Sequence, residues 1–417
     1  MSRPIAISLS PNTEKDDVKL ALKLLFSPMR WYDFRETEKL EQSFSEVFGK
    51  KYKALALNSG RSALFLILKS LGIGENSEVA LQALTCVAVP NSIIWAKAKP
   101  LYIDVDKSFN MDPKDLSEKI SEKTKAIIVQ HTFGIPAQMD EILKIAKKRK
   151  IFVIEDCALA LGGRYKGKAL GTLGDMSFFS FGRDKVISGV FGGMILCKDK
   201  KLYEKLISER DSLTYPGPRW LVQQILHPIL FNLILPLYSF GIGKVTVGKI
   251  LLFLYLKLGI LSKPVYREEE LGRRPKVFPT KLPGALSLLA INQLTKLGKF
   301  NNHRKKITNF YFQNLKDSEI QLPSKKQGAI WMRFPITTEN MTKIFNCAKK
   351  KGVLLGDWYK EVVVPVKDLY IVGYEKGCCP NAQKLAGKIL NLPTYPSLSK
   401  KQASEVVQLV KSCQNSK

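Results

Sequence analysis

From about residue 50 to 200, short apolar, β-branched runs alternate with amphipathic stretches. EVALQAL from Glu78, KPLYIDVD from Lys99, KAIIVQH from Lys125, IFVIEDC from Ile151, MSFFSFG from Met176 and GGMILCKD from Gly192 predict buried strands. Between them, MDEILKIAKKRK from Met139 sets Ile142, Ile145 and Ala146 on one helical face and its basic residues on the other. Strand, helix, strand is the signature of a mainly parallel, doubly wound α/β sheet covered on both faces. Ligands of such sheets bind beyond the carboxyl ends of the strands.

The pattern changes between Trp220 and Ser262, which hold no Asp or Glu, three Lys and dense Leu, Ile, Phe and Tyr. A spanning helix needs about 20 apolar residues. Gln223, Gln224, His227, Pro228, Asn232 and Pro236 interrupt the first half, and Lys249 and Lys257 the second. The segment therefore predicts a hydrophobic hairpin lying in a membrane interface or docked on a partner, rather than a transmembrane pair. A buried helical layer at an oligomer interface is the plainer alternative. From Lys281, KLPGALSLLAINQLTKLGKFNNHRKKITNFYFQNLK predicts one long amphipathic helix running into a smaller α+β C-terminal domain. That domain mixes strands such as GAIWMRFPI with helices such as CPNAQKLAGKIL. The expected organisation is a large α/β domain over 1–215, a hydrophobic basic insertion over 216–270, and the long helix with the small domain over 271–417.

At 417 residues, 45% hydrophobic and 25% charged, the chain has globular proportions, which excludes a small binding module and wholesale disorder. Its 66 Lys and Arg against 37 Asp and Glu leave a net charge of +29. Such a surface attracts polyanions: nucleic acid, an anionic membrane face or phosphorylated small molecules. The clusters KKRK at 147, HRKK at 303 and KKK at 349 are short and lack interleaved aromatics. Solvated helix faces explain them, so no nucleic-acid partner is expected. Seven cysteines without a regular framework predict reduced thiols in a cytoplasmic setting and no disulfide. His131, His227 and His303 lie far apart and Cys378–Cys379 lacks a CxxC partner, so no metal site is expected. The N-terminus turns charged before an apolar run of signal-peptide length forms, which argues against export.

Candidate chemistry gathers at three predicted strand ends. Lys185 follows the strand MSFFS, with Ser180 upstream and a glycine-rich stretch downstream. Asp156 ends IFVIED, and a carboxylate closing a buried strand needs a partner or a ligand. Gly60, Arg61 and Ser62 precede an apolar helix, where free amides, the helix dipole and a forked arginine suit a phosphate dianion. Lysine, carboxylate and phosphate cradle together are what pyridoxal 5'-phosphate requires. Structural roles suit Asp104 and Asp106 (strand end and turn), Cys157 (buried filler) and Gly134 (tight turn), while His131 suits a hydrogen-bonded structural role and a ligand role equally. GIG at 72 and GVFGG at 189 lack the spacing of a dinucleotide fingerprint.

NSGRSAL, TCVAVPNSI, VIEDCALALGG, GTLGDMSFFSFGRDK with its FGG tail, and CPNAQKLAGKILNLPTYPSLS together resemble the DegT/StrS-type (DegT/DnrJ/StrS) sugar aminotransferases, a branch of fold-type I pyridoxal phosphate enzymes. The resemblance covers about residues 10 to 220 and 270 to 412 and misses the hydrophobic insertion. It implies that Lys185 is the catalytic Schiff-base lysine, that Asp156 partners the pyridine nitrogen, and that Ser180 with Gly60, Arg61 and Ser62 holds the phosphate. It also implies a homodimer with the active site at the interface, reached by an Asn-aromatic-Arg motif of the second subunit. Here that region reads FPTKLPG, where Lys281 stands in place of Arg and the Asn is missing. Other positions of the cofactor site also depart from the family: Cys86 replaces a stacking aromatic, Leu159 a Gln or His, and Gly182 a His. The implied reaction moves an amino group, with glutamate as donor, to a keto group of a nucleotide-activated sugar in glycan biosynthesis. Two alternatives are a sugar dehydratase, which in related enzymes carries His at the Lys185 position, and an inactive regulatory protein on the same fold. The expected location is the cytoplasm, with the basic hydrophobic insertion at the inner face of the membrane.

Overall fold

The structure, a computed structural model, describes residues 3–242, 245–316 and 320–415. Lys244, one of the three lysines of the apolar segment, lies outside the described residues.

Seven strands build the main sheet: β1 (Lys53–Leu57), β2 (Glu78–Gln82), β3 (Lys99–Ile103), β4 (Thr124–Gln130), β5 (Phe152–Asp156), β6 (Met176–Ser180) and β7 (Gly193–Cys197). Their spatial order is β1-β7-β6-β5-β4-β2-β3. β3, β2, β4, β5 and β6 run parallel, and β7 runs antiparallel to both β6 and β1. Every predicted run became a strand. β1, KALAL, joined them although Ala, Leu and Lys carry little strand preference, because its register along β7 buries Leu55 and Leu57 completely. The parallel strands end together, so Gln82, Gln130, Asp156 and Ser180 share one edge.

Helices cover the sheet. The chain begins with α1 (Lys15–Leu25) and α2 (Phe34–Phe48), whose first turn is capped by the Asp33 carboxylate accepting from the Arg35 amide. α2 buries Leu40 and Phe44, and the Phe44 ring meets Phe179 of β6 edge-on at 4.9 Å. α3 (Gly60–Ser70) is buried along nearly its whole length and starts at the sheet's carboxyl edge. α4 (Met139–Arg149) turns Ile142 and Ala146 inward and its terminal basic residues outward.

The apolar segment forms two helices, α5 (Pro218–Leu237) and α6 (Val247–Lys257). α5 continues through Pro228 and Pro236 and packs against α1, with His227 buried and its ring nitrogen 2.6 Å from the Ser10 hydroxyl. α6 behaves differently. Of its residues only Gly248 is buried, and Ile250, Phe253 and Leu254 lie exposed on it, with Leu258 just beyond. The insertion is thus half core layer and half unpartnered apolar face.

The long helix expected from Lys281 is divided into α7 (Gly284–Leu294) and α8 (Leu297–Leu315). The break comes at Thr295–Lys296, where the Thr295 hydroxyl donates to the Asn292 carbonyl and the Lys296 ammonium ion-pairs with Glu14, Asp16 and Asp17. A continuous helix would carry that ammonium away from all three acids. In the small domain, β8 (Phe334–Thr337) occupies only the end of the predicted strand and pairs antiparallel with β9 (Ile389–Leu392). Ahead of β8, the Ile330 amide donates to the Gly134 carbonyl of the large domain. The stretch CPNAQKLAGKIL stays helical only over Pro380–Leu385 before Gly387, at φ +77°, turns it into β9. Asp104 caps that short helix by accepting from the Asn381 and Ala382 amides, 2.8 Å each, which fastens the small domain to the large one.

The expectation of no disulfide is corrected. Cys347 of α9 (Met341–Lys350) and Cys413 of α10 (Lys400–Asn415) are bonded, because these helices pack side by side and bring the Cα atoms to 5.9 Å. Their 66-residue separation hides the pairing in the sequence.

Replacing Phe44 by Ala removes a ring that joins α2 to β6 at full burial. The expected cost is about 3 to 5 kcal/mol, read as a lower urea midpoint with an unchanged slope.

Candidate active site

A cavity of about 410 Å³ opens at the carboxyl edge of the sheet. Asp156, Ser180, Lys185 and the start of α3 all line it. Three segments, spaced along more than a hundred residues, therefore converge.

Gly60 opens α3, and a side chain there would come within 3.1 Å of the Ser180 Cβ and 3.3 Å of the Phe179 carbonyl. The helix start and the end of β6 thus touch through a missing side chain, leaving a small hollow between amides and a hydroxyl. Ser59 is the N-cap: its hydroxyl accepts from the Ser62 amide at 3.1 Å. Two sequence expectations change here. The Ser62 hydroxyl donates to Asn58 at 2.7 Å and Ser62 does not line the cavity, since the helical turn directs it to the opposite side. Arg61 lines the cavity, but its guanidinium ion-pairs with buried Glu269, donates to the Pro264 carbonyl at 2.9 Å and rests on the Phe278 ring. Arg61 closes the end of the insertion onto α3 instead of offering a free fork.

Asp156 is buried at the end of β5, and one of its oxygens accepts from the Ala158 amide at 2.9 Å. It makes no ion pair among the described residues. Burial raises its pKa, and the charges of Lys185 and His131 pull it back in part. Behind it, His131 sits between Glu155 (3.1 Å) and the Ala137 amide (3.2 Å). His131, Glu155 and Cys157 come close enough to suggest a metal, but Glu155 already accepts from the Gly171, Leu173 and Gly174 amides. These contacts make a hydrogen-bonded core around His131, the structural one of the two roles its sequence position left open.

Lys185 lies on the turn after β6. A side chain at Gly182 would meet its Cγ at 3.4 Å and the Ser180 hydroxyl at 3.6 Å, so this glycine gives the lysine room beside Ser180. The turn is held from behind: Asn12 donates to the Lys185 and Val186 carbonyls, and buried Arg304 donates to Val186 at 2.8 Å. Arg183 faces away from Lys185, toward the insertion, where it donates to Gln224 and Ser262. Burial lowers its pKa to about 10.

Cys86 and Leu159 both line the cavity. Thr85–Cys86 pairs in parallel with Val363–Val364 of the small domain, which swings Asp357, Trp358 and Tyr359 onto the cavity. Tyr359 is buried next to Cys86, and burial pushes its phenol pKa up. Lys281 is not a cavity residue of its own chain; its amide donates to Thr214 and its ammonium lies 5.9 Å over the Tyr215 ring. Gln130, Arg333, Trp358 and Tyr359 were not singled out in the sequence. Gln130 ends a predicted strand one residue before His131 and was readable by the rule that found Asp156. The other three come from the small domain, whose placement no local pattern carries.

The lining carries Arg61, Arg183, Lys185, Lys263, Arg333 and Lys360 against Asp156, Asp184 and Asp357, an excess of cations that favours an anionic ligand.

The family model described as the DegT/DnrJ/EryC1/StrS aminotransferase family matches residues 12–218 and 262–411, leaving out the apolar insertion. The chain is 29% identical to a GDP-perosamine synthase of Escherichia coli O157:H7 over 381 residues, 89% of this chain and 88% of that protein. It is 40% identical to the GDP-perosamine synthase of Caulobacter vibrioides over 181 residues, 43% and 48% of the two chains. Among solved structures it resembles Helicobacter pylori PseC, an aminotransferase involved in the biosynthesis of pseudoaminic acid, with a TM-score of 0.74, 20% identity and 96% of each chain covered.

The residues fit the family's cofactor, pyridoxal phosphate. A buried carboxylate without an ion pair awaits a cation such as a protonated ring nitrogen, and the hollow at Gly60 would be filled by a side chain where a phosphate needs it empty. A pH dependence tests the first point. Because the folded value of Asp156 is raised, the unfolded chain loses this proton first as pH rises above the ordinary 3.8. Stability present below that value is lost as pH climbs through the folded one. In the cofactor-free protein, the urea stability of Asp156→Asn relative to wild type should therefore grow as pH rises above the ordinary 3.8, while the variant retains pyridoxal phosphate less well. A flat difference above that pH would contradict the assignment. Matched over residues 12–218 and 262–411, on both sides of its apolar insertion, the chain belongs to the DegT/DnrJ/EryC1/StrS aminotransferase family.

Proposed function

We propose that this aminotransferase moves an amino group from an amino acid, glutamate first among donors, to the keto group of a nucleotide-activated sugar, in the synthesis of cell-surface glycans. The observation that carries the reading is the convergence of Lys185, Asp156 and the Gly60–Ser180 hollow on one cationic cavity. GDP-perosamine synthase is the name of two relatives, and a dTDP-3-amino-3,6-dideoxy-alpha-D-galactopyranose transaminase of Aneurinibacillus thermoaerophilus is 27% identical over 91% of this chain. These names support a sugar nucleotide as the acceptor.

Pyridoxal phosphate, when bound, supplies an aldehyde that condenses with amines and a ring that takes up an electron pair. Lys185 would hold it through Nζ. Once released, the same Nζ moves the proton that must leave the donor's carbon and later reach the sugar's carbon. Asp156 would keep a proton on the ring nitrogen, and the Gly60 turn with the Ser180 hydroxyl would orient the phosphate. Cys86 and Leu159 leave the cavity wall apolar where the family is more polar, and buried Tyr359 brings an aromatic ring to the same wall. In a homodimer, Lys281 of one subunit would serve the other's site.

The visible spectrum tests this reading. Wild type with pyridoxal phosphate should show an absorption band that glutamate bleaches, and Lys185→Ala should show no lysine-borne band. Failure of wild type to bind the cofactor would overturn it.

We further propose that the protein works in the cytoplasm, peripheral to the anionic inner face of the membrane, with α6 as the contact. Ile250, Phe253, Leu254 and Leu258 form an exposed stripe at helical spacing, and the chain's net charge is +29. Among the described residues only α5 is long and apolar enough to cross a membrane, by length and composition, and 44% of its most apolar window is buried inside the protein. That burial favours docking over spanning. In flotation with anionic vesicles, wild type should rise with the lipid, and Phe253→Asp combined with Leu254→Asp should stay below; equal recovery of both in the soluble fraction would sink the proposal.

A further inference from the structure

Arg333 is a charged side chain in a setting that makes little sense for stability alone. It precedes β8 and is only 3% exposed, yet it lines the cavity. Its guanidinium carbon lies over the Trp358 ring, 3.4 Å from the ring centre. One nitrogen donates to the Asp184 carboxylate at 2.8 Å, and Nε–H is buried with no acceptor among the described residues. Burial lowers its pKa and the neighbouring Asp184 opposes that shift. An arginine desolvated to this degree with part of its fork unused costs stability. Removing it for an apolar residue would be the cheaper way to fill the space.

Position indicates what it is for. Asp184 immediately precedes Lys185, so the Asp184 contact ties the guanidinium to the turn that carries the lysine, and all three residues line the same cavity. An amino-acid donor carries its α-carboxylate on the same carbon as the amine that must meet the Lys185 region. An anchor for that carboxylate must therefore sit next to the lysine. The diphosphate of a sugar nucleotide hangs far from the reacting keto carbon and belongs at the cavity mouth, where Lys263 is exposed and makes no ion pair among the described residues. A planar, bidentate carboxylate also matches a guanidinium better than a lysine ammonium would.

We infer that Arg333 is the substrate-binding residue that recognises the α-carboxylate of the amino donor, oriented by the Trp358 ring and by Asp184. The inference rests on the aminotransferase reading, and it adds a specificity device: the small domain, through Arg333, selects an amino acid over a plain amine.

Two measurements test it on the full-length protein. In the first, calorimetry on cofactor-free protein follows binding of glutarate, a dicarboxylate with no amine to react. Arg333→Gln should bind it about tenfold to about a hundredfold more weakly than wild type, with Arg333→Lys between the two. Melting temperature and pyridoxal phosphate affinity report on folding, and should Arg333→Gln fail to fold, Arg333→Lys carries the comparison. Equal glutarate affinity in wild type and variant, or none in wild type, overturns the inference. In the second, bleaching of the cofactor band compares glutamate with 4-aminobutyrate, the same skeleton without the α-carboxylate. Wild type should prefer glutamate and Arg333→Gln should not. If glutamate bleaches both proteins equally well, the anchor fails and the aminotransferase reading stands. If wild type binds glutarate through Arg333 but glutamate leaves its band untouched, the aminotransferase reading fails and the carboxylate site stands.

Discussion

The constraint on which the site depends is the close approach of α3 to the strands beneath it. A side chain at Gly193 would lie 2.3 Å from the Ser59 carbonyl carbon and 2.5 Å from the Gly60 amide nitrogen, and one at Gly60 would press on Ser180. Only two glycines let the helix start settle against β7 and the end of β6. β7 makes the approach possible in a second way. It inserts antiparallel between β1 and β6, so the strand that leads into α3 lies only one strand away from the strand that leads to Lys185. The helix dipole, the Ser180 hydroxyl and the lysine then share one space although they stand far apart in the chain.

A second layer of organisation comes from the small domain. Its segment Val363–Val364 adds to the edge at Thr85–Cys86, and Asp104 caps one of its helices, so the large domain's strand ends are also its anchors. These ties carry Arg333, Trp358 and Tyr359 to the cavity and make its walls drier than strand ends alone would. In so low a dielectric the lone Asp156 carboxylate and the partly used Arg333 fork both gain from charged ligands.

The insertion is knitted into the same site. Buried Arg183, two residues before Lys185, donates to Gln224 of α5 and to Ser262, while Arg61 holds the Pro264 carbonyl and Glu269. The Phe191 ring, over which Arg183 lies, meets Trp220 at 5.3 Å, and the Trp220 indole donates to the Tyr266 hydroxyl at 2.7 Å. The insertion thus lines the cavity through Lys263, Pro264 and Val265, with α5 backing Arg183 from behind, and α6 is its free apolar face. One segment answers both halves of its sequence pattern, because the interrupted first half has polar side chains to spend on buried partners and the second half has almost none.

By itself the sequence determined the parallel strands, the helix start at Gly60, the carboxylate at Asp156 and the lysine after β6, since each depends on periodicity, strand length or local turn chemistry within a few residues. The resemblance to the aminotransferase family rests on those same short motifs. What the sequence could not settle was set by contacts between distant segments. Lys296 interrupts a continuous helical pattern where Asp16 and Asp17 of α1 and Glu14 at its N-cap stand opposite it. Ser62 turns from the hollow between Gly60 and Ser180 to Asn58, Arg61 is taken by Glu269, and Cys347 meets Cys413 through helix packing. Arg333 reads as one polar residue in an apolar run until the small domain folds over and buries its charge against Asp184, on the cavity that Lys185 also lines. Local propensity decides where elements begin and end. Only tertiary packing decides which of their charged groups are left without a partner, and in this protein those groups mark the site.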